Sequence, residues 1–233
     1  MILQQIRLFN INYVTIRFHN KEIIMKNTHS TTQSPQRGRP RQFDRESALM
    51  QAMLLFWRKG FSATSVSDLT SSMGISSPSL YAAFGSKEDL YAEALTYYQQ
   101  IYTSKLWADF DAALTAREAF ESYLMNSIKQ FVLANEENHP AGCMLGLSTV
   151  GNEGNAILGK IVSEAREKTL QRLDRRLEKA VAEGELSAKS ATGRARFYLA
   201  VLGGISLQAR DGANREELES IVRQTLSVWN SDH

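Results

Sequence analysis

Cysteine occurs once in the chain, at Cys143, so no intrachain disulfide can form and the composition suits a reducing compartment. Proline occurs four times, too rarely to break up the long periodic segments, which favours helices. The four histidines (His19, His29, His139 and His233) are too scattered for a metal-ligand or general-base motif. His139 and Cys143 have helical i, i+4 spacing, but Pro140 between them disfavours a regular turn. A loop histidine and a small buried cysteine are expected there, with no metal and no cofactor. Long hydrophobic runs are absent too. Met1–Ile24 is interrupted by Arg7, Asn10, Asn12, Arg17, His19, Lys21 and Glu22, so neither a signal peptide nor a membrane helix is expected. A net charge of only +2 means that any basic character must be local.

What is present is helical periodicity. Residues Lys26–Gln36 are polar and read as a disordered arm, followed by the basic Arg37-Gly-Arg-Pro-Arg41. From Asp44, the pairs Ala48/Leu49, Ala52/Met53 and Phe56/Trp57 recur on one face until Gly60. Ser65-x-x-Asp68 is a capping box for a short helix with Val66, Leu69 and Met73 inward, closed by Gly74. Ser77, as cap, and Pro78, in the first turn, open a helix of roughly seven residues, about 10 Å long. Ser86-x-x-Asp89 opens the next, expected to reach about Trp107. Thr115-x-x-Glu118 caps another, and a loop is expected over Ala134–Pro140. Gly142–Val150 reads as a short buried helix.

A long helix is then expected from Asn155 to about Glu183, with Ile161, Leu173, Leu177 and Ala180 inward. Ala191–Gln208 is apolar nearly all round, as in a helix buried on both sides. Asn214-x-x-Glu217 caps the last helix. Met1–Ile24 alternates weakly at Ile11, Tyr13 and Thr15 but has no partner strand in the pattern. It reads either as a genuine extension or as a mis-assigned start with Met25 as the true initiator. The fold class is all-α.

A helix, a turn at Gly74 and a second short helix form a helix-turn-helix. Leu80, Ala83 and Phe84 give the second helix an inner face, leaving Ser76, Ser77, Ser79 and Tyr81 outward at its N-terminal end. That end contacts base edges in the major groove, and small hydroxyls suit both bases and phosphates. Lys87 opposes the helix dipole in the first turn of the following helix, a placement that makes sense beside a phosphate. Arg37, Arg39 and Arg41 suit a narrow minor groove.

These residues carry a resemblance. Asp44–Tyr98, preceded by Gly38-Arg-Pro-Arg41, resembles the DNA-binding domain of the tetracycline-repressor (TetR) family. The matching residues include Gly60-Phe61, Thr64-Ser65, Asp68-Leu69, Gly74-Ile75-Ser76 and Leu80-Tyr-x-x-Phe-x-Ser-Lys-x-x-Leu90. The resemblance implies an arm over 1–41, a helix-turn-helix domain over 42–102, and a larger helical domain over 103–233. The last would bind a small-molecule effector and form a homodimer through the two final helices. It implies double-stranded operator DNA as partner and contacts from Arg37, Arg39, Arg41, Thr64, Ser65, Ser76, Ser77, Pro78, Ser79, Tyr81 and Lys87. The implied function is cytoplasmic repression, relieved by the effector. A regulator without an effector, or an activator, remains an alternative. An all-helical enzyme is disfavoured by the four scattered histidines, the lone cysteine and the absence of any clustered carboxylate motif.

Overall fold

The computed structural model describes residues 13–18, 21–26, 44–132, 139–227 and 229. The chain divides into two units, Met1–Phe43 and Asp44–His233. In the first, β1 (Tyr13–Phe18) and β2 (Lys21–Lys26) pair antiparallel, with Tyr13 opposite Lys26 and Phe18 opposite Lys21. The expectation of no partner strand is therefore corrected. Glu22-Ile-Ile-Met25 does not alternate, so nothing in its pattern marks it as a strand.

The second unit is helical. Its head comprises α1 (Arg45–Lys59), α2 (Val66–Met73), α3 (Ser77–Phe84) and α4 (Lys87–Tyr98). Asp44 caps α1 by accepting from the N–H groups of Glu46 and Ser47, and Gly60, at φ +81°, ends it. The expected capping boxes form at Ser65/Asp68 and at Ser86/Asp89. Ala52, Met53, Leu69, Leu80 and Leu90 are fully buried and form the head's core, while Val66 and Met73 are only half-buried.

Two details of α3 differ from expectation. Its cap is Ser76, whose Oγ accepts from the Ser79 N–H, so Ser77 is already the first helical residue and Pro78 the second. Its far end is fastened from α1: the Arg45 guanidinium donates to the Ala83 carbonyl at 3.2 and 3.3 Å and lies 4.4 Å from the Phe84 ring centroid. A helix this short depends on such tertiary anchors.

Beyond Tyr98 the chain widens into a π turn, Gln99–Thr103, and continues as α5 (Ser104–Ala112), past the expected end at Trp107. Next come α6 (Ala116–Val132) and, after a connection, α7 (Ala156–Ala182), the short α8 (Ala188–Ala191), α9 (Arg194–Arg210) and α10 (Arg215–Ser227). Helix α6 lies at the centre, packed by α5, α7, α9 and α10. Phe120, Leu124, Ile128, Leu173 and Tyr198 anchor the core there. Ile161, expected inward, is 36% exposed, and Leu158 and Val162 take the buried positions in that part of α7. Among the described residues, no helix is long and apolar enough to cross a membrane.

Candidate nucleic-acid interface and effector cavity

The outer surface of α3 carries Ser76, Ser77, Pro78 and Ser79, all exposed, and Tyr81, which is 48% exposed. The helix brings these residues together at one end, over a core that fixes its position. The Ser76 and Ser79 hydroxyls lie 2.8 Å apart and bond each other, whereas the Ser77 hydroxyl makes no hydrogen bond among the described residues. Ser65, at the start of α2, is also exposed.

Thr64 sits differently from the sequence expectation, whereas Lys87 stands in the first turn of α4 as expected. Thr64 is fully buried, and its Oγ1 donates to the Gly60 carbonyl at 2.7 Å, so its hydroxyl holds the α1–α2 turn and offers no free donor to a phosphate. Lys87 places its Nζ 4.2 Å from the Phe61 ring centroid. Burial lowers its pKa, against the opposing pull of Glu88 and Glu153. Arg37, Arg39 and Arg41 lie outside the described residues.

A cavity of about 310 Å³ opens where the π turn faces α6, α7 and α9. The wide turn presents Gln99 and Thr103 to it; Tyr123, Ser127, Gln130 and Phe131 come from α6, and Leu199, Leu202 and Ser206 from α9. Gln130 donates from Nε2 to the Tyr98 hydroxyl at 3.1 Å, and that hydroxyl donates to Cys143 Sγ at 3.4 Å. Burial raises the Tyr98 pKa well above its ordinary value, so the hydroxyl keeps its proton.

The segment Gly142–Val150, expected to be a short helix, is a chain of turns. Gly142 has φ +75°, and a side chain there would meet the Ser206 carbonyl at 2.6 Å. Arg166 of α7 donates to the carbonyls of Leu145, Gly146 and Ser148, taking up acceptors that a helix would have paired internally. Downstream, Gly151 packs backbone to backbone on Gly159 of α7.

This segment connects cavity and head. Cys143, Leu145 and Gly146 line the cavity. A few residues on, Ser148 bonds Tyr91 of α4 at 2.8 Å, and the Glu153 carboxylate accepts from Ser62, from Oγ at 2.6 Å and from N–H at 3.3 Å. Those bonds from Ser62, with one from Thr149, hold the Glu153 pKa below its usual range. Sequence reasoning missed Ser62, Tyr91, Glu153 and Arg166, because the partners are far apart along the chain.

His139 lies against Trp57 and 2.6 Å from the Tyr102 hydroxyl. No group of three or more His, Cys, Asp or Glu able to hold a metal occurs among the described residues.

Residues 48–94 match the family described as bacterial regulatory proteins, tetR family. Over 199 residues the chain is 34% identical to the HTH-type transcriptional repressor ComR of Escherichia coli, covering 83% of this chain and 92% of that one. Over 183 residues it is 30% identical to the repressor BdcR of the same organism, covering 78% and 86% of the two chains. Among solved structures, the TetR family regulator CifR, as a cysteine mutant complexed with a 26-bp double-strand operator DNA, superposes with a TM-score of 0.75. That chain is 36% identical, and the match covers 82% of this chain and all of that one.

Proposed function

The chain belongs to the TetR family of bacterial regulatory proteins, and we propose that it is a homodimeric DNA-binding repressor released from a palindromic operator by a small molecule. The observation that carries this reading is the outer surface of α3, a polar, exposed N-terminal end on a short helix fixed from both sides. Ser76, Ser77, Pro78, Ser79 and Tyr81 then meet the major groove, with Ser65 and Lys87 at flanking phosphates and Arg37, Arg39 and Arg41 as an arm. Thr64 shapes the turn beside them. The repressor names of ComR and BdcR, and operator DNA in the CifR complex, support the same reading.

On this reading residues 1–41 are the arm, 42–102 the DNA-reading domain and 103–233 the effector and dimerisation domain. Helix α9 supports the dimer. Phe197, Ala200, Gly204 and Leu207 follow a three-four-three spacing on one exposed face, with Phe197 43% and Leu207 51% exposed. Space for a Cβ is open at Gly203 and Gly204, so a second helix could approach closely. A two-fold pair through this face matches a two-fold operator. The protein acts in the cytoplasm, where its DNA is, and by a binding equilibrium without catalysis.

The cavity supports an effector. Helix α4 carries Lys87 at one end and Tyr98, against the cavity, at the other, and the segment from Cys143 to Glu153 runs between the same two places. An occupant that fits only one arrangement of these elements shifts the head, because equal affinity for both would shift nothing.

The test is fluorescence anisotropy on matched and scrambled duplexes. Tyr81→Phe and Lys87→Ala should each weaken binding to every sequence alike, with melting unchanged for Tyr81→Phe. Parental affinity in both variants would remove α3 and its neighbour from the DNA interface.

A further inference from the structure

Resting on the effector role proposed for the cavity, we infer that its occupant is a small, uncharged, flat molecule carrying an O–H or N–H donor, of the phenol or indole class. Charge is the first filter. Among the described residues no Asp or Glu lines the cavity, so a cation would lose its hydration and gain no counter-ion from them. Arg166 is the one cation among the described lining residues. Its guanidinium already donates to Leu145 O at 2.9 Å, Gly146 O at 3.0 Å and Ser148 O at 2.6 Å. An anion that drew it away would leave the Gly146 and Ser148 carbonyls without that partner, while Leu145 O would keep its bond from the Ser148 N–H at 3.4 Å.

Shape is the second. Trp107 and Tyr123 stack at 4.7 Å with 20° between their planes, and Tyr98 and Phe131 add further ring surface to the walls. Aromatic walls favour a flat partner. A volume of about 310 Å³ lies at the small end of ligand pockets, which limits the occupant to one or two rings.

Polarity is the third. The Ser127, Thr103 and Thr169 hydroxyls donate to carbonyls of their own helical turns, at Tyr123, Gln99 and Ala165. Ser206 Oγ accepts from the Cys143 N–H. Two groups remain. Gln130 Oε1 is buried with no hydrogen-bond partner among the described residues, and the Tyr123 hydroxyl makes no hydrogen bond among them either. The amide's orientation is set by Tyr98, whose proton goes to Cys143 Sγ, so that Tyr98 accepts from Gln130 Nε2. The carbonyl end is therefore the unpaired one, and it asks for a donor from the ligand.

The experiment is titration calorimetry of the full-length protein, without DNA, against p-cresol, indole, toluene, benzoate and benzylammonium. p-Cresol and indole should bind at least tenfold more tightly than toluene, and the two ions should give no heat of binding. Gln130→Met, which keeps length but removes the amide, should abolish the preference, so that p-cresol and toluene bind that variant with equal affinity. Three results would overturn the inference: equal affinity for toluene and p-cresol, binding of either ion as tight as that of indole, or no binding by any compound. Operator anisotropy with the same compounds is a separate readout. Binding of p-cresol with no effect on DNA affinity would keep the ligand class and refute the effector role.

Discussion

Ser62→Ala removes one atom that joins the DNA-reading head to the cavity-bordering segment, and its consequence can be worked out from the structure. The hydroxyl donates to Glu153 Oε2 at 2.6 Å, a short bond to a charged acceptor. Both residues are exposed, so solvent screening leaves the bond worth about 0.5–1 kcal/mol, short of the strength of a buried one. If the bond pre-orients the head for DNA, its loss should weaken operator binding about two- to fivefold. Glu153→Ala has two opposed effects. It cuts the same tie, and it removes a negative charge that acts on Lys87. A double-mutant cycle separates them, since the charge effect is common to both legs and cancels. In a Glu153→Ala background, Ser62→Ala should cost nothing further. Anisotropy on one operator duplex measures all four proteins. A full additional loss from Ser62→Ala in that background would show that Ser62 touches DNA directly and that the tie plays no part.

Other variants probe the framework. Leu80→Ala should destabilise the head by about 3–5 kcal/mol, because the side chain is fully buried at the α3 core contact; melting curves would show it, and a loss below about 1 kcal/mol would contradict that packing. Gly159→Ala should cost about 1–3 kcal/mol, since its Cβ would meet Gly151 Cα at 2.6 Å and backbone cannot turn aside; an unchanged melting temperature would mean the segment shifts freely. Burial, and then Arg58, lowers the His139 pKa from 6.5 to about 4. The unfolded chain therefore takes up this proton first, and stability falls as pH drops from 6.5 towards 4, by about 2 kcal/mol at pH 5. His139→Gln should flatten that part of the pH–stability curve, and an unaltered slope would assign it to other groups.

The head was legible in the sequence because its signals are local. The capping pairs at Ser65/Asp68 and Ser86/Asp89 close within one turn, and so do those of Thr115/Glu118 and Asn214/Glu217. Ser76 and Ser77 are both good caps, and only the backbone at Ser76, with φ −81° and ψ 157°, decides between them. The segment after Gly142 was misread because its apolar residues resemble a buried helix. What prevents one is Arg166, some twenty residues downstream along the chain, taking its carbonyls. The same holds for the cavity, which depends on a π turn and on side chains from α4, α5, α6, α7 and α9. Ile161 lies beside the buried face of α7, whose inward positions there are taken by Leu158 and Val162.

The central claim, that this chain reads a two-fold operator through α3, is tested most directly by selecting binding sites from random duplex DNA with the purified full-length protein. The account predicts enrichment of one palindrome whose half-sites lie about one helical turn, 10–10.5 bp, or a multiple of it, apart. It also predicts that a Ser79→Asn protein, altered on the outer surface of α3, selects a palindrome changed at one position per half-site, with a discrimination of about 1–3 kcal/mol. Recovery of no enriched sequence, of an asymmetric one, or of the same site by the parent and Ser79→Asn proteins would contradict it.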